Sequence, residues 1–484
     1  MNVCAAIAHN ARTQPHAPAV IEPDRAISYA ELHERVLRTA SALADRGIRS
    51  ADRVAIRLPN SATHLIAQLA LARIGAVSIP LHTAKPADAL AAFRARFAPA
   101  AVIGLSQAQA IDGVPLILAD DDLLRPIPAD RRSRPAAAGG EAPFCIALSS
   151  GTTGEPKAIV WSHDRLLGHW RLQQGVRAFG PGVRFLPFMG FDAFYPSAAC
   201  MFVLFGGGAV IVTPDVSLNR LEESVDRFGA THVLSSPVLI ARFVDTLGPE
   251  GPRFPGLVAL RLAGSLLPPQ MLRALMRRVT PNIVNDYGST EAGLTASGDR
   301  DTLLMHPAAV GRLMPWVEAC TVGDDGVPLP AGTSGVLASR GAGYPSACFD
   351  APDPGAGEFR DGWFHPGDYG RVLPDGALII DGRVDEMINL GGTKVAPGEV
   401  ERVLLQDPDV REAAAYGLET ASGQTVLLAA VVLKGAFDEK SLLARCRTQL
   451  GQRAPMRLVQ VDALPRNDAG KVMRRVLAQN TRVG

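Results

Sequence analysis

The chain has 484 residues, 47% of them hydrophobic and 20% charged, the balance of an ordinary soluble globular protein. Lys plus Arg number 49 against 48 Asp plus Glu, so no basic surplus argues for nucleic acid or an anionic membrane as a partner. This length suggests roughly two to four structural units around a sizeable core.

Six cysteines, at 4, 145, 200, 320, 348 and 446, stand apart with neither a close pair nor metal-ligand spacing, as in a reducing cytoplasm. The N-terminus, MNVCAAIAHNARTQP, has no basic-then-apolar leader pattern. Residues 29–47 place Leu32, Val36, Ala40 and Leu43 on one face and predict a helix. A strand at 54–58, a helix at 65–74 and a strand at 76–80 follow. Residues 125–143, rich in Pro, Ala, Gly and Arg, read as a surface connection. The longest apolar run, 197–212, is broken by glycines at 206–208 and is too short to span a bilayer. It reads as a buried helix, a turn, and a strand at 209–212. Strands at 232–235, 258–262 and 283–285 continue the alternation, which predicts parallel sheets covered by helices. A second Gly/Pro-rich stretch spans 341–357. After Asp381 the pattern becomes a compact α+β unit, with strands at 412–418 and 426–433 and a helix at 441–450. The expected boundary falls near 384–385.

Residues 148–163 read LSSGTTGEPKAIVWSH, a loop of small residues between two apolar runs. Small residues let backbone N–H groups approach an anion, and hydroxyls and an ammonium add donors. The loop therefore suits a polyphosphate. It is not a Walker loop, because Pro156 precedes Lys157 and Ala158 follows it. Three further motifs stand downstream: NDYGSTEAG (285–293), GWFHPGDYG (362–370) and DGRVDEMINLGGTKVAPGEVE (381–401), with LPRNDAGKVMRR (464–475) near the end.

In this order and spacing the motifs resemble those of the adenylate-forming superfamily of acyl-CoA synthetases, peptide-synthetase adenylation domains and luciferases. The resemblance runs from ISYAEL (27–32) to Arg475. It implies an α/β fold: a large N-terminal domain, 1–384, of helix-covered parallel sheets with a small β-barrel-like part, and a mobile α+β lid, 385–484. The implied activity is that of an AMP-forming acid–thiol ligase using ATP and Mg²⁺, with CoA or a carrier protein's phosphopantetheine as acceptor.

Such chemistry needs a held triphosphate, a clamped ribose and a cation at the attacked α-phosphate. The resemblance assigns Ser149, Ser150, Thr152, Thr153 and Lys157 to the phosphates. It adds Gly264, Ser265, Asp286, Tyr287 and Gly288 to the nucleotide set, with Tyr287 stacking on adenine. Thr290 would bond a phosphate oxygen, and Glu291 would bind Mg²⁺, which prefers few carboxylates plus substrate phosphates. The 285–293 stretch can also read as a loop ending in a helix cap at Ser289 or Thr290. Asp368 would hold the ribose hydroxyls. Pro366 stands there in place of the family's usual Thr. Arg383 can reach ribose or phosphate as a planar fork, Asp385 matches the hinge, and Gly391 and Gly392 match the thiol tunnel. Lys471 matches the adenylation lysine, whose charge bridges carboxylate and α-phosphate.

The substrate segment, FLPFMGFDAFYPSA (185–198), lacks the His common in acyl-CoA synthetases. Its Phe191-Asp192-Ala193 resembles the segment of amino-acid adenylation domains whose Asp pairs with the substrate's amino group. The alternative is an Asp capping the next helix. A stand-alone amino-acid adenylation enzyme serving a separate carrier protein, and more remotely a luciferase-like oxidoreductase, are the competing readings. A nucleotide-binding protein without catalysis conflicts with the presence of Lys471, Glu291 and Asp368.

Overall fold

The computed structural model describes residues 1–119, 138–149, 157–177, 179–248, 251–344, 349, 358–390, 393–420, 425–435, 438–466 and 472–481. Two large sheets organise the first part of the chain. In one, the strands Pro18–Ile21, Ala209–Ile211, Arg184–Pro187, His232–Ser235, Ala259–Leu262 and Ile283–Ser289 lie side by side, all parallel. The other runs Leu116–Leu118, Ala101–Gly104, Arg53–Arg57, Val77–Pro80 and Pro143–Ser149 in parallel order, then Lys157–Ser162 antiparallel. Strands buried on both faces explain the continuous apolar runs of the sequence.

Two helices packed in the core are buried on nearly every side. Ala62–Ile74 starts where the Ser61 side chain accepts from His64 N and stops at Gly75, at φ +83°. Phe194–Gly206 is buried from Pro196 to Phe205. Its last turn is held by Tyr29, whose hydroxyl donates to Leu204 O at 3.0 Å and Gly208 O at 2.7 Å. Among the described residues no helix is long and apolar enough to cross a membrane.

The small barrel-like part takes a different form. Gly293–Gly298, Gly311–Leu313, Ala377–Arg383, Asp368–Val372 and Gly335–Gly341 extend the first sheet with antiparallel strands. Their pairings among the described residues do not close on themselves. A single turn of 3₁₀ helix, Val384–Glu386, leaves this sheet. Beyond it stand a two-stranded hairpin, Ile388–Leu390 with Thr393–Val395, and a three-stranded sheet, Val410–Glu419, Thr425–Leu433 and Arg457–Gln460. Helices Pro397–Leu404, Glu439–Leu450 and Arg474–Asn480 cover it, and its two apolar clusters draw only on residues from Ile388 onward. This unit docks through Arg402, which joins Arg371 on the fully buried carboxylate of Asp381.

Candidate active site

The stretch 148–163 includes parts of two paired antiparallel strands. Ser149 and Lys157 face each other across the strands Pro143–Ser149 and Lys157–Ser162. Ser150, Thr152 and Thr153 fall outside the described residues. The Lys157 ammonium donates to the Glu358 carboxylate, a partner that no motif had signalled.

The NDYGSTEAG segment forms a second hairpin, in which Ile283–Ser289 pairs with Gly293–Gly298. The strand reaches Ser289 rather than ending at 285, so no helix follows and neither Ser289 nor Thr290 caps one. Ser289 Oγ instead accepts from Ala292 N at 3.1 Å inside the turn. Gly288 is obligatory here, because a Cβ would strike the Gly293 carbonyl. At Gly293, φ is +70° and a Cβ would lie 2.7 Å from the His169 ring.

The turn is tied down from behind. Arg165 donates Nη2 to Glu291 O, Nε to Gly343 O at 2.7 Å and Nη1 to Val160 O at 3.1 Å. Its guanidinium carbon sits 3.7 Å from the Trp161 ring centroid, and Trp161 Nε1 donates to Thr290 O at 3.2 Å. Three backbone carbonyls and one ring thus fix the arginine fork, and through it the Thr290–Glu291 backbone. Burial lowers the His169 pKa to about 4, so its ring is neutral where it packs on Trp161. Glu291 itself is buried, and its carboxylate has no hydrogen-bond or ion-pair partner among the described residues.

A third group forms where Asp368 and Arg383 lie opposite each other on adjacent strands. The Tyr287 hydroxyl donates to one Asp368 oxygen, and Arg383 Nη1 lies 3.3 Å from the other. Arg383 also donates to the Pro366 carbonyl, and through Nε to Asp385 at 3.3 Å. So the position where Pro replaces the family's Thr contributes a backbone acceptor. Burial, then the neighbouring Asp368 charge, hold the Tyr287 phenol well above its ordinary pKa, and it remains a donor. Gly264, at φ +89°, and Ser265 are exposed in the turn after Ala259–Leu262.

Asp286 points the other way from Tyr287, as alternation along a strand requires. Its buried carboxylate accepts from Arg177 and from Ser297 Oγ at 2.7 Å on one oxygen. The other oxygen accepts from Tyr195 at 2.7 Å and from Arg261 at 3.5 Å. Four donors fill it, so its carboxylate belongs to a buried ion network and not to the nucleotide face.

A family model described as AMP-binding enzyme matches residues 7–345, and one described as AMP-binding enzyme C-terminal domain matches 399–471. The chain belongs to the AMP-binding enzyme family. A 4-chlorobenzoate–CoA ligase from Arthrobacter is 31% identical, with 98% of this chain and 94% of that protein covered. A salicyl-AMP ligase / salicyl-S-ArCP synthetase from Mycobacterium tuberculosis is 29% identical, with 94% and 85% covered. The crystal structure of ATP-bound MatB from Rhodopseudomonas palustris superposes with a TM-score of 0.88, 26% identity and 99% of each chain covered.

In this AMP-binding enzyme Asp192 is half-buried and lines a small cavity with Gln68, Phe194, Ser197 and Met201. It does not cap the following helix: the cap position is Ala193, with no side-chain bond. Its carboxylate has no partner among the described residues. Phe194, one step past the cap, stacks on Trp161 with ring centroids 4.4 Å apart, joining the Asp192 segment to the Thr290 turn. Lys471, Gly391 and Gly392 lie outside the described residues. The two glycines fall between the paired strands Ile388–Leu390 and Thr393–Val395. Arg165, Arg177, Arg261, Tyr195 and Glu358 carry no local motif, and the sequence offered no signal for them.

Proposed function

We propose that the chain activates a carboxylic acid with ATP and passes the acyl group to a thiol. A carboxylate oxygen bonds to the α-phosphorus, the α–β phosphoanhydride bond breaks, and pyrophosphate leaves. The thiol sulfur then attacks the acyl carbonyl, AMP leaves, and the thiol proton goes to solvent. The observation that carries this reading is the Tyr287–Asp368–Arg383 cluster, whose Tyr287 lies on the same hairpin as Thr290 and Glu291. Asp368 accepts the ribose hydroxyls, with Tyr287 and Arg383 holding its orientation. Ser149, Ser150, Thr152, Thr153, Lys157 and Thr290 hold the phosphates, and Gly264, Ser265 and Gly288 let the backbone approach the nucleotide. ATP must draw Lys157 away from Glu358 to use it. Asp286 supports this set from below through its ion network.

Mg²⁺ fits at Glu291, a single unpartnered buried carboxylate beside the phosphate residues, since this ion takes few protein ligands. When bound it neutralises phosphate charge. Arg165 and Trp161 keep the Glu291 backbone in place for it. Acid-dependent ATP–pyrophosphate exchange tests the reading. Absence of exchange across fatty, aryl and amino acids would sink it.

The thiol is CoA, in keeping with the stand-alone-synthetase character of INLGGTKVAPGEVE (388–401), in which Gly391 and Gly392 line the thiol tunnel. A carrier-protein thiol is the alternative, and the M. tuberculosis relative's name supports keeping it. The scattered cysteines support a cytoplasmic setting.

We place the domain boundary between 384 and 385, with Asp385 as the hinge. Asp385 is the middle residue of the 3₁₀ turn Val384–Glu386. A 3₁₀ turn holds φ at about −60°, near the proline value. Asp385→Pro is therefore expected to fold normally, keep adenylate formation and lose thioester formation steeply. Single-turnover assays of each half-reaction check this, and equal loss of both would move the hinge elsewhere.

Asp192 supports an amino group on the acid. A carboxylate in a cavity with no partner suits an ammonium. Asp192→Ala is expected to lower kcat/KM for the preferred amino acid by roughly two orders of magnitude or more, because the ammonium is left buried and unpaired. The deamino analogue should bind no worse. An unchanged ratio between the two substrates would remove the amino-acid reading.

A further inference from the structure

We propose that the acid pocket also recognises a second anionic group on its substrate, a carboxylate or sulfonate remote from the carboxyl that is adenylated, and that Arg261 reads it. This rests on the ligase reading above and goes further by naming a substrate class. It is independent of the Asp192 ammonium reading.

The argument starts from a count of charges. Arg177, Arg261 and Asp286 are all at least nine-tenths buried, and among the described residues Asp286 is the only carboxylate paired with either guanidinium. Two cations therefore share one anion. Tyr195 adds no charge, because burial pushes its phenol up to about 12. Arg177 is the well-served member: it donates to Asp286, to Gln173 at 3.2 Å and to Tyr195 at 3.0 Å. Arg261 reaches Asp286 only at 3.5 Å and makes no other side-chain bond among the described residues, while the Nε of both arginines is buried without a partner. A desolvated guanidinium normally has its own counter-ion. Here burial and the Arg177 charge both work against its charged state. His232, two strands from Asp286, offers no compensation: burial lowers its pKa to about 4 and the Arg261 charge adds to that.

Position makes the missing anion a ligand. Arg261 stands next to last in the strand Ala259–Leu262, just before the exposed Gly264–Ser265 turn. Ligands of open α/β sheets bind beyond the carboxyl ends of parallel strands. Leu234 and Val284 are its register partners, so Arg261 shares a face with Asp286. That face meets Tyr195, which lies three residues beyond Asp192 and its cavity. An anion beside Arg261 would thus sit between the acid segment and the nucleotide hairpin.

The test measures ATP–pyrophosphate exchange by the full chain with short α,ω-dicarboxylates, ω-sulfonates and the matching monomethyl esters. For wild type, kcat/KM for the best dianion is expected to exceed that of its monoanionic counterpart by roughly 100-fold, because a site built around a buried charge rejects a ligand that leaves it unpaired. Arg261→Met should bring that ratio to about one, and Arg261→Lys should restore part of it. Removing Arg261 leaves a neutral Arg177–Asp286 pair, so the methionine variant should melt no lower than wild type. A wild-type ratio near one overturns the proposal. So does an equal loss on both substrates, which would place Arg261 on the reacting carboxylate or phosphate, or a lower melting temperature with an unchanged ratio, which would make it a structural cation. Exchange with monocarboxylates alone fails this inference and leaves the ligase reading standing. No exchange with any acid fails the ligase reading itself.

Discussion

Lys471→Ala is expected to lower acyl-AMP formation by two to three orders of magnitude with the fold intact. Loss of one preorganised charge from a transition state of this kind costs roughly 3–4 kcal/mol. Lys471 stands one residue before Val472, which bridges to Arg466, and the helix Arg474–Asn480 follows. Its root is firmly anchored. Arg474 donates to Glu386 at 2.6 Å, to Glu401 at 2.8 Å and to Ala415 O at 3.1 Å. Burial opposes the Arg474 charge, but the two glutamates more than offset it and hold its pKa above the ordinary value. Glu386 belongs to the 3₁₀ turn Val384–Glu386, so the anchor ties the helix Arg474–Asn480 to that turn. Pyrophosphate exchange measures the first step. Thioester formation from chemically supplied acyl-AMP should survive, because the lysine has no part in the second. Near-normal exchange by the variant would remove Lys471 from the mechanism.

Asp286→Leu is expected to destabilise the protein by about 3–5 kcal/mol, as removal of one partner from a buried ion pair does. The substitution would leave Arg177 and Arg261 buried with no anion, and Tyr195 and Ser297 without their acceptor. Urea unfolding monitored by tryptophan fluorescence reads the loss. A midpoint equal to that of wild type would mean that the network contributes nothing. The pH dependence has a definite sign. Burial raises the Asp286 pKa, but the two guanidiniums and the hydroxyl donors more than reverse this, and the folded value lies below the ordinary 3.8. The stabilisation is therefore fully present above the unfolded-state pKa, near neutrality, and is lost only as pH falls through the folded value. In the leucine variant that acid-side loss should disappear.

Local pattern carried much of the architecture. The strand expected at 54–58 is Arg53–Arg57, and that at 426–433 is Thr425–Leu433. These agree because a strand buried on both faces must be apolar throughout, and Gly and Pro mark its ends. The family was equally legible, because the motifs that carry the resemblance are contiguous and keep their spacing. The turn after Ser289 was not: a Ser/Thr pair before a Glu suits a helix cap as well as a hairpin. Only the pairing of Ile283–Ser289 with Gly293–Gly298 settled it.

By itself the sequence determined the fold class, the order of the elements and the family, and it proposed the candidates Tyr287, Thr290, Glu291, Asp368 and Arg383. The tertiary structure alone decided which of these share a neighbourhood and what stands behind them. Arg165 lies 126 residues from Glu291, Lys157 lies 201 from Glu358, and Arg177 lies 109 from Asp286. Contacts over such separations leave no local pattern, because periodicity and turn chemistry report only on neighbours in the chain. The same applies to the charge count around Asp286. Each arginine alone reads as an ordinary surface residue; strand register brings Arg261 to the buried carboxylate, and the turn after the helix His163–Gln174 brings Arg177.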